Sequence, residues 1–198
     1  MTPDTIVTWR WQTPGYRSKY GPETVNTLAA MVRRYYPRPH RFVCVTDDAD
    51  GIDPRVDVLP DWADYASVPS PHGGRNPSCY RRLRAFHPEI AASFGRRFVS
   101  LDLDTVVTDD LLPLWERPEE FVIWGDTSPR SRFNGSMFLL TAGARPQVWN
   151  DFDPASSPMR AKSAGFWGSD QGWLSFVLSG SATYYLTSAQ RPTRTPSR

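Results

Sequence analysis

Two aspartates, Asp102 and Asp104, stand two residues apart inside the apolar run "RRFVSLDLDTVVTDD" that extends from Arg96 to Asp110. A carboxylate taken out of water is costly unless it is paired, neutralised or bound to a metal. Residues two apart on a strand point to the same side. The two acids can therefore face one point while Leu101, Leu103 and Val106 fill the layers around them. Hard oxygen ligands converging at a strand end suit Mg²⁺ or Mn²⁺. Strand ends are also where open α/β sheets place their ligands.

A D-x-D match alone is weak, since chance supplies one in about every two or three chains of this length. Two more occur here, Asp48-Ala49-Asp50 and Asp151-Phe152-Asp153. The first opens into the turn "GIDP" and the second precedes Pro154, both settings that favour aspartate for its turn chemistry. Only Asp102-Leu103-Asp104 is flanked by "FVSL" and "TVV". The competing explanation is a strand end whose aspartates cap a helix beginning near Asp109.

Other residues have chemistry to offer. Asn134 and Gly135 precede an apolar strand, so an amide and an open backbone can line a cleft, although Asn-Gly is also the commonest tight turn. Asp170 and Gln171 fall in the first turn of a helix capped by Ser169, where the helix dipole favours a carboxylate in any case. Arg81, Arg82 and Arg84 could grip phosphate or simply face solvent. Trp9 and Trp11 flank the end of the first strand and could stack on a base, or pack in the core.

The elements that must position these groups follow from pattern and punctuation. "TIVTW" (Thr5 to Trp9) reads as a first strand, followed by a polar loop with Pro14, Gly15, Gly21 and Pro22. Val25, Leu28, Ala29, Val32 and Tyr36 then recur at helical spacing, from Pro22 to a stop at Pro37 and Pro39. "RFVCVTDD" reads as a second strand and "RVDVLP" as a weaker third. "SCYRRLRAFHPEIAASF" reads as a helix interrupted at Pro88, with Leu83, Phe86 and Ile90 on one face. "RFVSLDLD", "FVIWGD" and "NGSMFLLTAG" read as strands, "WGSDQGWLSFVL" as a helix, and "RPTRTPSR" as a disordered tail. This order predicts a single α/β domain over 1–190, with a mixed, mostly parallel sheet flanked by helices and the tail at 191–198.

Composition bounds the partners. The chain has 198 residues, 39% apolar and 22% charged, enough for one sizeable core. Its net charge of +2 hides a strong arginine bias, since Lys19 and Lys162 are the only lysines. No long basic run gives the electrostatic footprint of a dedicated nucleic-acid binder. No apolar run approaches the roughly 20 residues of a membrane span. The N-terminus lacks the pattern of a signal peptide, and Cys44 and Cys79 stand apart without CxxC spacing, so buried thiols of a cytoplasmic protein are expected.

The order of these pieces is more specific than any one of them. A first strand with a polar loop, then "YRRL", "FVSLDLDTVV", "NGSMFLL" and "GSDQ", resembles the GT-A-fold glycosyltransferases, most closely the retaining family 8 group with its sugar-nucleotide donors. The resemblance runs from about Ile6 to Leu178. It implies a GT-A domain, Rossmann-like in build, with Asp104 on a Mn²⁺ or Mg²⁺ ion and Asp102 on the metal or the donor ribose. Arg82 would meet the donor's sugar and phosphates, Asn134 would line the sugar pocket, and Asp170 would grip sugar hydroxyls with Gln171 beside the anomeric carbon. The segment from Thr8 through Trp9 to Trp11 falls where that fold binds the nucleobase. Family 8 enzymes supply a further metal-ligating histidine from an H-x-x-G-x-x-K-P-W-like segment. This chain has only His40, His72 and His87, all before the paired acids, and so resembles a shortened member.

The expected activity is thus metal-dependent transfer of a sugar from a nucleoside diphosphate, UDP by the resemblance, to a glycan, lipid, protein or modified nucleic-acid base. The alternative is a sugar-nucleotide or carbohydrate-binding protein without catalysis. A nucleotidyltransferase ranks lower, because no Gly-rich phosphate loop with a following lysine lies near the N-terminus.

Overall fold

The computed structural model describes residues 3–12, 20–69, 79–125, 128, 130–179 and 183–185. Strand β1 (Asp4–Arg10) is buried from Thr5 to Arg10, as a strand covered on both faces must be. Helix α1 (Pro22–Tyr35) starts on its proline and buries Val25, Leu28, Ala29 and Val32. Glu23 in its first turn and Arg33 and Arg34 in its last complement the helix dipole. Strands β2 (His40–Thr46) and β3 (Asp57–Pro60) follow, and β2 runs parallel to both β1 and β3. Strand β4 (Arg97–Leu101) lies on the other side of β1, again parallel.

Strands β5 (Phe121–Gly125), β6 (Phe133–Thr141) and β7 (Thr183–Tyr185) complete a seven-stranded sheet of order β3-β2-β1-β4-β6-β5-β7. Only β6 runs against its neighbours β4 and β5, while β7 is parallel to β5. The sheet is therefore mixed and mostly parallel, as the order of patterns predicts. Two hydrophobic layers cover it. Ile6, Leu28, Val32, Phe42, Val99 and Leu139 pack beneath α1. Val7, Trp9, Phe94, Phe98, Phe138 and Trp173 form the other layer.

The segment read as one interrupted helix is a 3-10 helix, Cys79–Phe86, followed by a single turn, α2 (Ala91–Phe94). Residues three apart line up in a 3-10 helix, so Tyr80, Leu83 and Phe86 form one buried ridge. The same period places Arg81 and Arg84 on a second line, where they pair with Asp61 and Asp64. Arg82 falls on the third line, with Cys79 and Ala85. These arginines are therefore not a solvated face.

Helix α3 (Leu112–Trp115) lies where a helix beginning near Asp109 is the competing explanation of the paired acids, whereas helices α4 (Gln147–Asn150) and α5 (Ser157–Ser163) and strand β7 have no counterpart in the sequence pattern. Helix α6 (Asp170–Val177) begins as expected, with Ser169 Oγ accepting from the Gly172 N–H at 3.2 Å. Both cysteines are free thiols, Cys44 in the core and Cys79 half-buried. No helix among the described residues is long and apolar enough to cross a membrane. The tail at 191–198 lies outside the described residues.

Candidate functional site

Strands β1, β2 and β4 end at Arg10, Thr46 and Leu101, on one side of the sheet. The antiparallel β6 begins there too, because Leu101 pairs with Met137. Asp102 and Asp104 follow directly after β4. They lie in a turn and not on the strand, since the Thr105 N–H donates to the Asp102 carbonyl at 3.1 Å. Strand alternation is thus not what positions them. Asp102 stays tethered to β6 through its N–H, which donates to the Ser136 carbonyl at 2.9 Å, and is half-buried. Asp104 is exposed, with the Tyr20 hydroxyl donating to its Oδ2 at 3.4 Å. Neither acid caps a helix; Asp110 does, accepting from the Leu112 N–H at 2.8 Å.

Arg82 gathers the site. Its Nε and Nη2 both donate to Asp170 Oδ2, at 2.8 and 2.6 Å, and its Nη1 donates to Asp102 Oδ1. The guanidinium side chain is 13% exposed against 5% for Asp170 and 26% for Asp102, so both ion pairs are shielded from bulk water and neither is an ordinary surface pair. Burial works to lower the Arg82 pKa, yet Asp102 and Asp170 together carry it above the ordinary guanidinium range. Asp102 moves the other way from a salt-bridged acid. Burial pushes its carboxyl up against the pull of Arg82, with Asp170 and Asp104 adding to the rise and the Ser136 hydroxyl opposing it. Two carboxylates on one guanidinium, one buried and one half-buried, leave a net negative charge, and Asp104 adds to it.

Asn134 and Gly135 are not a tight turn. They lie within β6, where the register with β5 shifts between Ile123 and Trp124. A Cβ on Gly135 would fall 3.0 Å from Arg82 Nη2 and 3.3 Å from Gln171 Cγ, so the bare backbone is what lets these side chains close over β6. The Asn134 Oδ1 accepts from the Ser136 N–H at 2.9 Å. Asn134 and Ser136 also line a cleft of about 440 Å³ with Thr105, Asp109 and Trp124. Behind Asp170, its N–H donates to Cys79 Sγ at 3.5 Å. Burial first, and then the Asp170 charge, push the Cys79 thiol well above its ordinary pKa, so it stays protonated.

Arg82, Asp102, Asp170 and Gln171 therefore converge, with Asp104 at the solvent edge, while Asn134 points to the other side of β6 from the Gly135 position and lines the separate cleft. The first-strand residues divide. Thr8 is fully buried, and Trp9 is buried against Phe94 and Trp62 with its indole N–H donating to Ser100 Oγ at 3.3 Å. Neither side chain offers a face to a base, which corrects their expected role. Both sit inside the central strand, where core packing takes every position. Trp11, one residue past the strand, is half-buried with the Arg81 guanidinium 5.7 Å from its ring centre.

Sequence reasoning passed over Ser136, Arg10 and Tyr20. Arg10 Nε donates to the Tyr20 carbonyl at 2.9 Å and its Nη1 to the Asp48 carbonyl at 2.5 Å, clamping two loops at the end of β1. Only the position of Ser136, two residues beyond Asn134 on the same strand, could have flagged it.

Among the described residues, no group of three or more His, Cys, Asp or Glu side chains gathers to hold a metal. His40 opens β2 at the far end of the parallel strands, and His87 packs edge-on to Trp149. His72 lies outside the described residues. The donors present are hard carboxylate oxygens, one exposed and one half-buried. Mg²⁺ in phosphate sites is held in just this way, by one or two carboxylates together with substrate phosphates and water. The pair fits an ion shared with a diphosphate and does not fit an all-protein cage.

No protein-family model and no curated protein sequence matches the chain. Solved structures do. The galactosyltransferase LgtC, in complex with donor and acceptor sugar analogues, superposes with a TM-score of 0.60 at 17% identity, covering 91% of this chain and 72% of LgtC. The glycosyltransferase GlyE of Streptococcus pneumoniae TIGR4 gives 0.57 at 13% identity, over 94% of this chain and 46% of GlyE. The bifunctional glycosyltransferase WbbM gives 0.50 at 14%, over 92% of this chain and 38% of WbbM. The chain thus has the GT-A-like fold of these glycosyltransferases.

Proposed function

We propose that the protein is a metal-dependent glycosyltransferase of the retaining family 8 type, taking a sugar from a UDP-linked donor. The observation that carries this reading is the Arg82 junction. It joins Asp102 after β4 to Asp170 at the head of α6, over the glycine of β6, at the carboxyl ends of the parallel strands. Asp102 and Asp104 would hold Mn²⁺ or Mg²⁺, which when bound offsets the negative charge that grows on a departing diphosphate.

The chain's own residues supply the rest. Asp170 gives Oδ2 to Arg82 and would present its other oxygen to a sugar hydroxyl, holding the ring while positive charge develops at the anomeric carbon. Arg82 adds a fixed positive charge beside the phosphates. Gln171, against Gly135, would stand at the sugar's reacting face. The bond from anomeric carbon to diphosphate oxygen breaks with its electron pair on oxygen; the acceptor oxygen bonds to the carbon and passes its proton to the departing diphosphate. Trp11, beyond the end of β1, is the expected base contact.

Calorimetric titration of UDP with Mn²⁺ and with EDTA tests this reading. Binding should require Mn²⁺ and vanish in Asp104→Asn; equal binding in EDTA sinks the metal assignment. A binding protein without catalysis is the second reading, favoured by the lack of a third metal-ligating side chain among the described residues. It gains if UDP binds with Mn²⁺ but no UDP-sugar is hydrolysed or transferred.

A further inference from the structure

Arg82 has a second consequence, which rests on the metal-diphosphate reading above. We infer that Arg82 and the divalent ion compete for Asp102, so that the ion enters together with a nucleoside diphosphate and not ahead of it. The carboxylate that would have to ligate the ion already has Oδ1 bonded to the Arg82 guanidinium. That guanidinium cannot simply swing aside. Two of its nitrogens are fixed to Asp170 at 2.8 and 2.6 Å, and Nη2 lies against the Gly135 backbone.

An ion arriving alone therefore meets a fixed positive charge at one ligand and a single exposed carboxylate, Asp104, at the other. At such short range two cations repel strongly in a site shielded from water. A diphosphate changes the balance, because its oxygens can accept from Nη1 and ligate the ion at once. Each then strengthens the other's binding by the same factor. Asp170 takes part as the anchor that keeps Arg82 in place.

The test is Mn²⁺ titration of the full chain, followed through the electron paramagnetic resonance signal of free Mn²⁺, with and without saturating UDP. In wild type, UDP should tighten Mn²⁺ binding by roughly ten-fold or more, within the usual range of coupling between sites. Arg82→Met should tighten Mn²⁺ binding without UDP by roughly ten-fold, the scale of one lost charge-assisted contact, and shrink the coupling. A damaged site loses affinity, so a gain is not what a merely structural role for Arg82 would give. Where Arg82→Met does not fold, Arg82→Lys serves. A lysine satisfies one carboxylate at a time, so binding of Mn²⁺ alone should still tighten, by a smaller factor. Unchanged or weaker binding in the folded variant overturns the competition and leaves the UDP reading standing. Absence of Mn²⁺-dependent UDP binding in wild type overturns the reading beneath it.

Discussion

Gly135→Ala separates the steric argument from the chemical one. Gly135 sits in strand β6, so alanine suits its backbone, and any effect must come from the added methyl. That methyl would lie 3.0 Å from Arg82 Nη2, whereas ordinary contact begins at 3.4 Å. The guanidinium must retreat by about 0.4 Å, away from β6 and toward a helix whose other face is a buried ridge. The Nη2 bond to Asp170, now 2.6 Å, can lengthen that far and survive. The loss of stability should therefore fall at the low end for overpacking, about 1 kcal/mol. Function should lose more than stability does, because misplacement by about 1 Å can cost a hundred-fold and this shift about six-fold to ten-fold. Urea unfolding gives the first quantity, and single-turnover hydrolysis of a UDP-sugar the second. Repeating both in an Arg82→Lys background supplies the control, since lysine has no Nη2. The cost of Gly135→Ala should then drop below about 0.5 kcal/mol, with only Gln171 left to crowd. An equal cost in both backgrounds would show that Arg82 is not what the methyl strikes, and the argument would fail.

Asp170→Asn leaves a buried guanidinium with one carboxylate in place of two, and urea unfolding should show a loss of about 3 kcal/mol; a loss under about 1 kcal/mol would mean that water already serves this pair. Trp9→Ala should cost about 3–5 kcal/mol of stability and leave UDP affinity per folded molecule unchanged, whereas Trp11→Ala should weaken UDP binding at little cost in stability, and calorimetry beside urea titration reads both. Burial pushes the Cys44 thiol from 9.0 up to about 12, with Arg10 opposing the rise. The folded pKa lies above the unfolded one, so this thiol leaves stability untouched below pH 9 and lowers it as pH climbs toward 12. At pH 10.5 wild type should have lost about 2 kcal/mol more than Cys44→Ala relative to pH 7; parallel losses in the two proteins would refute the shift.

Much of the fold is legible where pattern is strong. Helix α1 announces itself through its proline start and the spacing of Val25, Leu28 and Val32, and the strands through β-branched runs. What escapes is short or set by tertiary context. α4 and α5 are one or two turns long, too brief for a period to show, and β7 is three residues joined to a sheet edge. The 3-10 helix looks α-helical because Leu83 and Phe86, three apart, suit either period. At the site, residue type was informative wherever a charge had to be compensated, as at Arg82, Asp102 and Asp170. Trp9 misled because an aromatic at a strand end is equally at home against Phe94, and nothing local says that β1 runs one residue further, to Arg10.

The placement of Asp102 shows how a local motif can single out two acids on a geometric ground that the fold does not keep. Alternation along a strand would have pointed both acids one way, but β4 stops at Leu101 and the two carboxylates part, one half-buried and one exposed. What aims Asp102 is β6. Because β6 runs antiparallel to β4, its first residues arrive beside the last residue of β4, and the Ser136 carbonyl takes the Asp102 N–H there. A parallel strand in the same slot would bring its last residues to this end of the sheet, and Asn134, Gly135 and Ser136 would lie at the other. The one reversed strand is therefore what sets a bare glycine under Arg82 and an amide beside the cleft. That direction is a property of the whole sheet, and no window of sequence around Asp102 contains it.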